Sequence, residues 1–174
     1  MKNKVIWLTG LPSAGKTTIA KCLEMYCESK GHPCIILDGD DIRRVLSKDL
    51  GFSMKDRREN ARRIAAVADL VYRNGGTALV ACISPLREYR VLARTLCQSA
   101  DVNCDFVEVF VDAPIAVCKE RDPKKLWGNA PCKMTGIDSP YEAPTHPDIH
   151  LETVHLTPNQ CVEKISKRVG WTRG

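Results

Sequence analysis

Residues 10–17 read Gly10-Leu11-Pro12-Ser13-Ala14-Gly15-Lys16-Thr17, a complete G-x-x-x-x-G-K-[ST] motif. Few short patterns restrict a fold as much, because this one works only between a strand and a helix. Its glycines let the backbone curl until successive N–H groups point inward at phosphate oxygens. Lys16 supplies a point charge for β- and γ-phosphates, and the Thr17 hydroxyl suits Mg²⁺. The flanks provide the required context. Lys4–Thr9 is a short apolar run that reads as a buried strand. Thr17–Lys30 places Ile19, Ala20, Leu23, Met25 and Cys27 near helical spacing, and Gly31 follows as a stop.

The same rhythm continues down the chain. Apolar strand patterns at Val5–Thr9, Cys34–Leu37, Ala78–Ile83, Phe106–Val111 and Ile149–Glu152 alternate with helix patterns at Thr17–Lys30, Asp41–Ser47, Lys55–Asn74, Leu86–Ser99, Pro114–Glu120 and Pro158–Val169. Ser53-x-x-Asp56 resembles a capping box opening the third helix, and Gly75-Gly76 closes it. Alternation of this kind predicts an α/β fold of three layers, a five-stranded, mainly parallel sheet flanked by helices, and with the glycine loop it resembles the P-loop nucleotide-kinase fold. No repeat or linker interrupts it, so 1–174 reads as a single domain. Residues 121–148 break the rhythm with five prolines and two glycines. A long irregular segment of that kind is a candidate active-site lid.

Composition narrows the function classes. With 44% hydrophobic and 27% charged residues, the 174-residue chain can bury a real core. No apolar run approaches the ~18 residues of a membrane span, and the N-terminus shows no signal-peptide pattern, so a cytoplasmic protein with no membrane partner is expected. The net charge of +5 comes from scattered basic residues. Anionic small-molecule chemistry explains it better than nucleic-acid binding, so no nucleic-acid partner is expected. The nine cysteines include no C-x-x-C pair. Several lie in apolar patterns (Cys22, Cys34, Cys82) and read as buried reduced thiols rather than a zinc site or a disulfide framework. The four histidines show no ligand spacing.

Open α/β sheets bind ligands beyond the carboxyl ends of their strands. Here the first strand enters the glycine loop and the second ends Leu37-Asp38-Gly39-Asp40-Asp41. The third ends Ile83-Ser84-Pro85 and the fourth Val111-Asp112. All four ends are expected to line one cleft. Phosphoryl transfer needs a metal clamp and an oriented nucleophile. Asp38 and Asp40 suit those two tasks, while Asp40 or Asp41 can instead cap the following helix. Arg43, Arg44, Arg57, Arg58, Arg62 and Arg63 offer cations to an anionic acceptor, some of them forming merely a solvated face. Ser84, Arg87 and Arg90 flank the third strand's end.

Taken in order, GLPSAGKTT (10–18), LDGDDIR (37–43), GFSMKDRRENARR (51–63), ISPLREYR (83–90), EVFVDAP (108–114), CKERDPKKLW (118–127) and TGIDSPYEAP (135–144) resemble the adenylylsulfate (APS) kinase family across nearly the whole chain. The resemblance implies ATP-dependent phosphorylation of the ribose 3′-hydroxyl of APS, giving 3′-phosphoadenylylsulfate (PAPS) and ADP, with Mg²⁺ as cofactor, ATP and APS as partners, and a homodimer. It implies ATP contacts at Gly10, Leu11, Pro12, Ser13, Ala14, Gly15, Lys16, Thr17, Thr18 and Arg121, and Mg²⁺ at Thr17 and Asp38, directly or through water. Lys16, Asp38 and Ser84 are the catalytic candidates, Asp38 near the metal or as base. Ser84 is the position on which the family's phosphoserine label falls, although direct in-line transfer needs no covalent stage. Acceptor contacts are implied at Asp40, Asp41, Ile42, Arg43, Phe52, Arg57, Asn60, Ile83, Ser84, Lys124, Lys133 and Met134, with Phe52 stacked on the adenine. Arg121 and Lys124 would begin the lid, near the ATP base and the phosphates respectively.

Two departures from the family pattern stand out. The lid is a few residues shorter, and Met134 occupies the place of the aromatic that would sandwich the acceptor base; methionine packs on a ring less specifically. The N-terminal extension that family members often carry is nearly absent. The shorter lid leaves open a second reading, a kinase of the same fold for another nucleotide-like acceptor. A third, a non-catalytic nucleotide switch, is disfavoured because the DGD and ISP stretches are present and a guanine-reading N-K-x-D motif is not.

Overall fold

The computed structural model describes residues 1–100, 103–122, 135–136 and 138–171. Five strands, β1 (Val5–Thr9), β2 (Cys34–Asp38), β3 (Thr77–Ala81), β4 (Phe106–Asp112) and β5 (Ile149–Glu152), form one sheet in the order β2-β3-β1-β4-β5. Every pairing is parallel, with Val5 opposite Ala78 on one side and Phe106 on the other. The six helices are α1 (Lys16–Ser29), α2 (Gly39–Val45), α3 (Met54–Arg73), α4 (Arg87–Ala100), α5 (Ile115–Arg121) and α6 (Pro158–Arg168).

The period-2 geometry of a strand explains why the central strands read as unbroken apolar runs. Ile6 and Leu8 enter the core beneath α1 and α6, with Leu79, Val109 and Leu151. Val5 and Trp7 point the other way, into the core beneath α3 and α4 with Val80, Ile64 and Ala68. All five residues of β1 are buried, which fixes the strand that feeds the glycine loop.

Local signals set several boundaries. The Ser53–Asp56 box forms in full: the Ser53 hydroxyl accepts the Asp56 N–H at 3.2 Å and the Asp56 carboxylate accepts the Ser53 N–H at 3.3 Å. A second box, Thr157 with Gln160, starts α6 with Pro158 in its first turn. The helix pattern of α1 needs one correction. Buried positions are Ile19, Ala20, Leu23 and Cys27, whereas Met25 is 66% exposed, because two residues beyond Leu23 lie about 200° around the helix. β3 also stops at Ala81 rather than Ile83. Beyond it the backbone turns at Ser84, whose φ of +43° lies in the left-handed region. Six of the eight described cysteines are buried, while Cys22 and Cys34 are half-buried; Cys132 lies outside the described residues.

Candidate active site

The glycine loop wraps from β1 into α1. Gly10 has φ +153°, and a Cβ there would collide with the Val111 carbonyl oxygen of β4, so only glycine fits. Gly15, at φ +110°, has open space around it and is required for conformation alone. The loop borders a cavity of about 760 Å³ through residues 12–18, the size range of small-molecule sites. Lys16 is 8% exposed, and its ammonium donates to the carbonyls of Gly10 (2.9 Å) and Leu11 (2.7 Å). Gly10 and Leu11 thus support Lys16 and do not border the cavity themselves. Burial lowers the Lys16 pKa to about 8; the nearby Cys82, Cys118, Asp38 and Asp40 pull it back up.

Asp38 ends β2 and divides its carboxylate. Oδ1 accepts the Asp40 N–H at 2.9 Å and caps α2, while Oδ2 accepts the Thr17 hydroxyl at 2.7 Å. The helix cap is therefore Asp38, not Asp40 or Asp41. Helical spacing then sorts the DGDDIR stretch. Asp40 and Arg43 border the cavity, three residues apart on one face. Asp41 faces away and pairs with Arg44 at 2.7 Å, and Ile42 packs on the α3–α4 core, so neither borders the cavity. Mg²⁺ fits the pair formed by Thr17 and Asp38, a hydroxyl and a carboxylate side by side. That cation takes one or two protein oxygens and completes its shell with phosphates and water. Among the described residues no group of three or more His, Cys, Asp or Glu is placed to hold a metal.

The opposite wall is built from α3 and the turn after β3. Arg57 and Asn60, at 9% and 8% exposure, share the inner face of α3. The Arg57 guanidinium donates to the Phe52 carbonyl (2.9 Å) and the Thr135 hydroxyl (2.8 Å). Phe52 is 47% exposed, with the Arg43 guanidinium 4.5 Å from its ring centroid. Asn60 Oδ1 is buried without a hydrogen-bond partner among the described residues, a costly state for an amide oxygen. By contrast, Arg62 and Arg63 pair with Glu59, and Arg63 also with Asp49, on the solvated face.

Ile83, Ser84 and Pro85 complete this wall. The Ser84 hydroxyl accepts the Trp7 indole N–H at 3.0 Å and lies 2.9 Å from the Cys82 sulfur. Neither partner is a base: an indole donates, and burial pushes the Cys82 thiol up to about 11. The environment holds this hydroxyl in place and does not activate it as a nucleophile.

The remaining strand ends depart from expectation. Asp112 does not border the cavity; it pairs with His150 at 2.9 Å, and β4 serves the loop through the Val111 carbonyl instead. The end of β5 takes the fourth place. Thr153 borders the cavity and donates to the Ala14 carbonyl of the glycine loop at 3.1 Å. Arg121, at the last turn of α5, also borders the cavity and donates to the Thr153 hydroxyl (2.9 Å) and carbonyl (2.8 Å). Leu156, Pro158 and Cys161 join them. These four positions after β5 carry no motif, though the strand-end rule extended to the fifth strand points to Thr153. Lys124, Lys133 and Met134 lie outside the described residues. Among the described residues no helix is long and apolar enough to cross a membrane.

The family model for adenylylsulphate kinase matches residues 2–152. An adenylyl-sulfate kinase of Aeromonas salmonicida is 51% identical over 154 residues, covering 86% of this chain and 76% of that protein. A bifunctional enzyme CysN/CysC of Mycobacterium tuberculosis is 43% identical over 172 residues, covering 97% of this chain but 27% of the relative, so the chain spans about a quarter of such bifunctional proteins. The solved APS kinase CysC of Mycobacterium tuberculosis, in complex with AMPPNP and APS, superposes with a TM-score of 0.91 at 41% identity, covering 97% of this chain and 98% of that one.

Proposed function

The chain belongs to the adenylylsulphate kinase family, and from that premise we propose that it transfers the γ-phosphoryl group of ATP to the ribose 3′-hydroxyl of APS, yielding PAPS and ADP. The supporting observation is that one cavity joins the glycine loop to a wall carrying Arg43, Arg57 and Asn60. A nucleotide acceptor with sugar hydroxyls and a doubly anionic phosphosulfate matches that wall in both hydrogen bonding and charge.

In this reading the loop amides and Lys16 hold the triphosphate, and Lys16 leaves the carbonyls of Gly10 and Leu11 for the β- and γ-phosphates. Thr17 and Asp38 would hold Mg²⁺, which would supply positive charge against the transferring phosphate. Arg121 and the segment after β5 receive the donor's nucleoside. Asp40, Arg43, Phe52, Arg57 and Asn60 receive APS against Ile83 and Ser84. The acceptor hydroxyl attacks the γ-phosphorus in line, the bond to ADP breaks, and an Asp38 oxygen takes the proton late, since a loose transition state needs little base assistance. Ser84 forms no covalent intermediate; its hydroxyl shapes the wall. A homodimer and a Mg²⁺ requirement are part of the proposal, checked by light scattering and by activity after chelation.

An acceptor panel tests the reading. With ATP and Mg²⁺, APS should be phosphorylated at the 3′ position in preference to cytidine, uridine and adenosine diphosphate analogues. Turnover of another acceptor with none on APS would overturn it.

A further inference from the structure

Arg90 sits on α4 behind the Ser84 turn, 2% exposed and away from the cavity surface. All three of its guanidinium nitrogens are engaged. Nε donates to Glu108 of β4 at 2.7 Å, Nη1 to the Ser84 carbonyl at 2.7 Å, and Nη2 to the Glu142 carbonyl at 2.8 Å. One planar group therefore joins a strand, the turn after β3 and the segment that precedes β5. Ser84 is a non-glycine residue held at φ +43°, a conformation that persists only where the surroundings over-determine it.

The neighbouring bonds act in the same direction. The Ile83 carbonyl accepts the Thr9 hydroxyl at 2.6 Å, and the Pro85 carbonyl accepts the Glu142 N–H at 2.8 Å. The Glu142 carboxylate in turn accepts the Arg87 N–H at 2.9 Å. Three consecutive carbonyls of the wall are thus pinned, the central one by Arg90 through the group that also holds Glu142. The Arg57–Thr135 bond ties the start of the same segment to the proposed acceptor wall.

We propose that Arg90 is a positioning residue for the acceptor: its fork welds the 141–143 segment to the strained Ser84 turn, and this weld sets the affinity for the acceptor nucleotide without touching it. The inference rests on the APS-kinase reading above. Lysine cannot replace the fork, because a single ammonium keeps the charge opposite Glu108 but cannot reach both carbonyls in one plane.

The test compares wild type, R90K and E142P for APS turnover and for binding of a non-hydrolysable ATP analogue. R90K should raise the KM for APS by at least about tenfold, while analogue affinity stays within about twofold of wild type. E142P, an exposed substitution that removes both the N–H held by Pro85 and the carboxylate held by the Arg87 N–H, should move the APS KM in the same direction. An R90K enzyme with unchanged APS KM overturns the proposal, as does a parallel loss of APS and analogue binding, which would mark a general structural role. If R90K does not fold, E142P decides, and an unchanged APS KM in that variant overturns the proposal. The wild-type control separates the two levels: failure there on APS defeats the function reading itself, whereas normal wild-type turnover with an indifferent R90K defeats the weld alone.

Discussion

On one side of the cavity, the contiguous stretch Gly10–Thr18 carries nearly all of the proposed donor contacts. On the other, the proposed acceptor wall draws Asp40 and Arg43 from α2, Arg57 and Asn60 from α3, Ser84 from the turn after β3 and Thr135 from the chain between α5 and β5. The two sides also differ in how their polar groups are satisfied. The donor side is internally paired, with Lys16 on two loop carbonyls and Thr17 on Asp38. The acceptor side leaves Asn60 Oδ1 buried without a partner among the described residues. A phosphate cradle is a backbone device whose shape glycine and one lysine can specify locally. Recognition of a particular nucleotide needs side chains from several elements, so its specificity resides in tertiary structure.

The sharpest way to break this contrast is Lys16→Ala. Loss of a charge that stabilises the transferring phosphoryl group should lower kcat by about 10²–10³-fold, whichever acceptor is used, as steady-state assays would read. Asp38→Asn comes next. Asparagine caps a helix as well as aspartate does, so α2 and the melting temperature should hold while kcat falls about 10²-fold. Near-normal turnover would remove Asp38 from the metal and base roles. Asn60→Ala should leave the ATP KM alone and raise the APS KM about tenfold, the worth of one good hydrogen bond. Because the truncation also deletes a buried unpartnered oxygen, the melting temperature should hold or rise; a marked fall would mean Asn60 is structural.

The smallest expected effect is a pH dependence confined to the donor side. Burial lowers Lys16 to about 8, so it is a cation below that pH and neutral above it. A triphosphate favours the cation, hence ATP affinity should weaken as pH rises through 8, and binding just above that value should take up a proton. Calorimetry in two buffers of different ionisation enthalpy measures the uptake. An absence of uptake would show that Lys16 is already charged in the free protein.

This asymmetry also explains what could be read from the sequence. The strand, loop and helix around Gly10–Thr17 are encoded within a short window, and so are the Ser53–Asp56 box and the alternating strands of the sheet. Asp38 was legible as a cleft residue at the end of β2, but its duty as helix cap was not, because the same residue types recur at Asp40 and Asp41. Asp112 failed the strand-end rule because its side chain turns to His150 while the Val111 carbonyl does the contacting. Thr153, Leu156 and Cys161 have no motif of their own; they border the cavity because α6 and the end of β5 are folded back beside the glycine loop. Arg90 looked like one more flanking cation, and its three-way fork exists only once α4, β4 and the 141–143 segment are assembled.

Trp7 turns the packing of β1 into an optical property. Its ring is fully buried and stacked on Phe106, with centroids 5.7 Å apart, yet its N–H reaches the Ser84 hydroxyl in the cavity wall. The excited state of an indole responds to what its N–H is bonded to, so this chain carries an intrinsic fluorophore one hydrogen bond behind its proposed acceptor pocket. With Trp127 and Trp171 replaced by phenylalanine, emission from Trp7 alone would report events at the acceptor wall in real time, with no label attached.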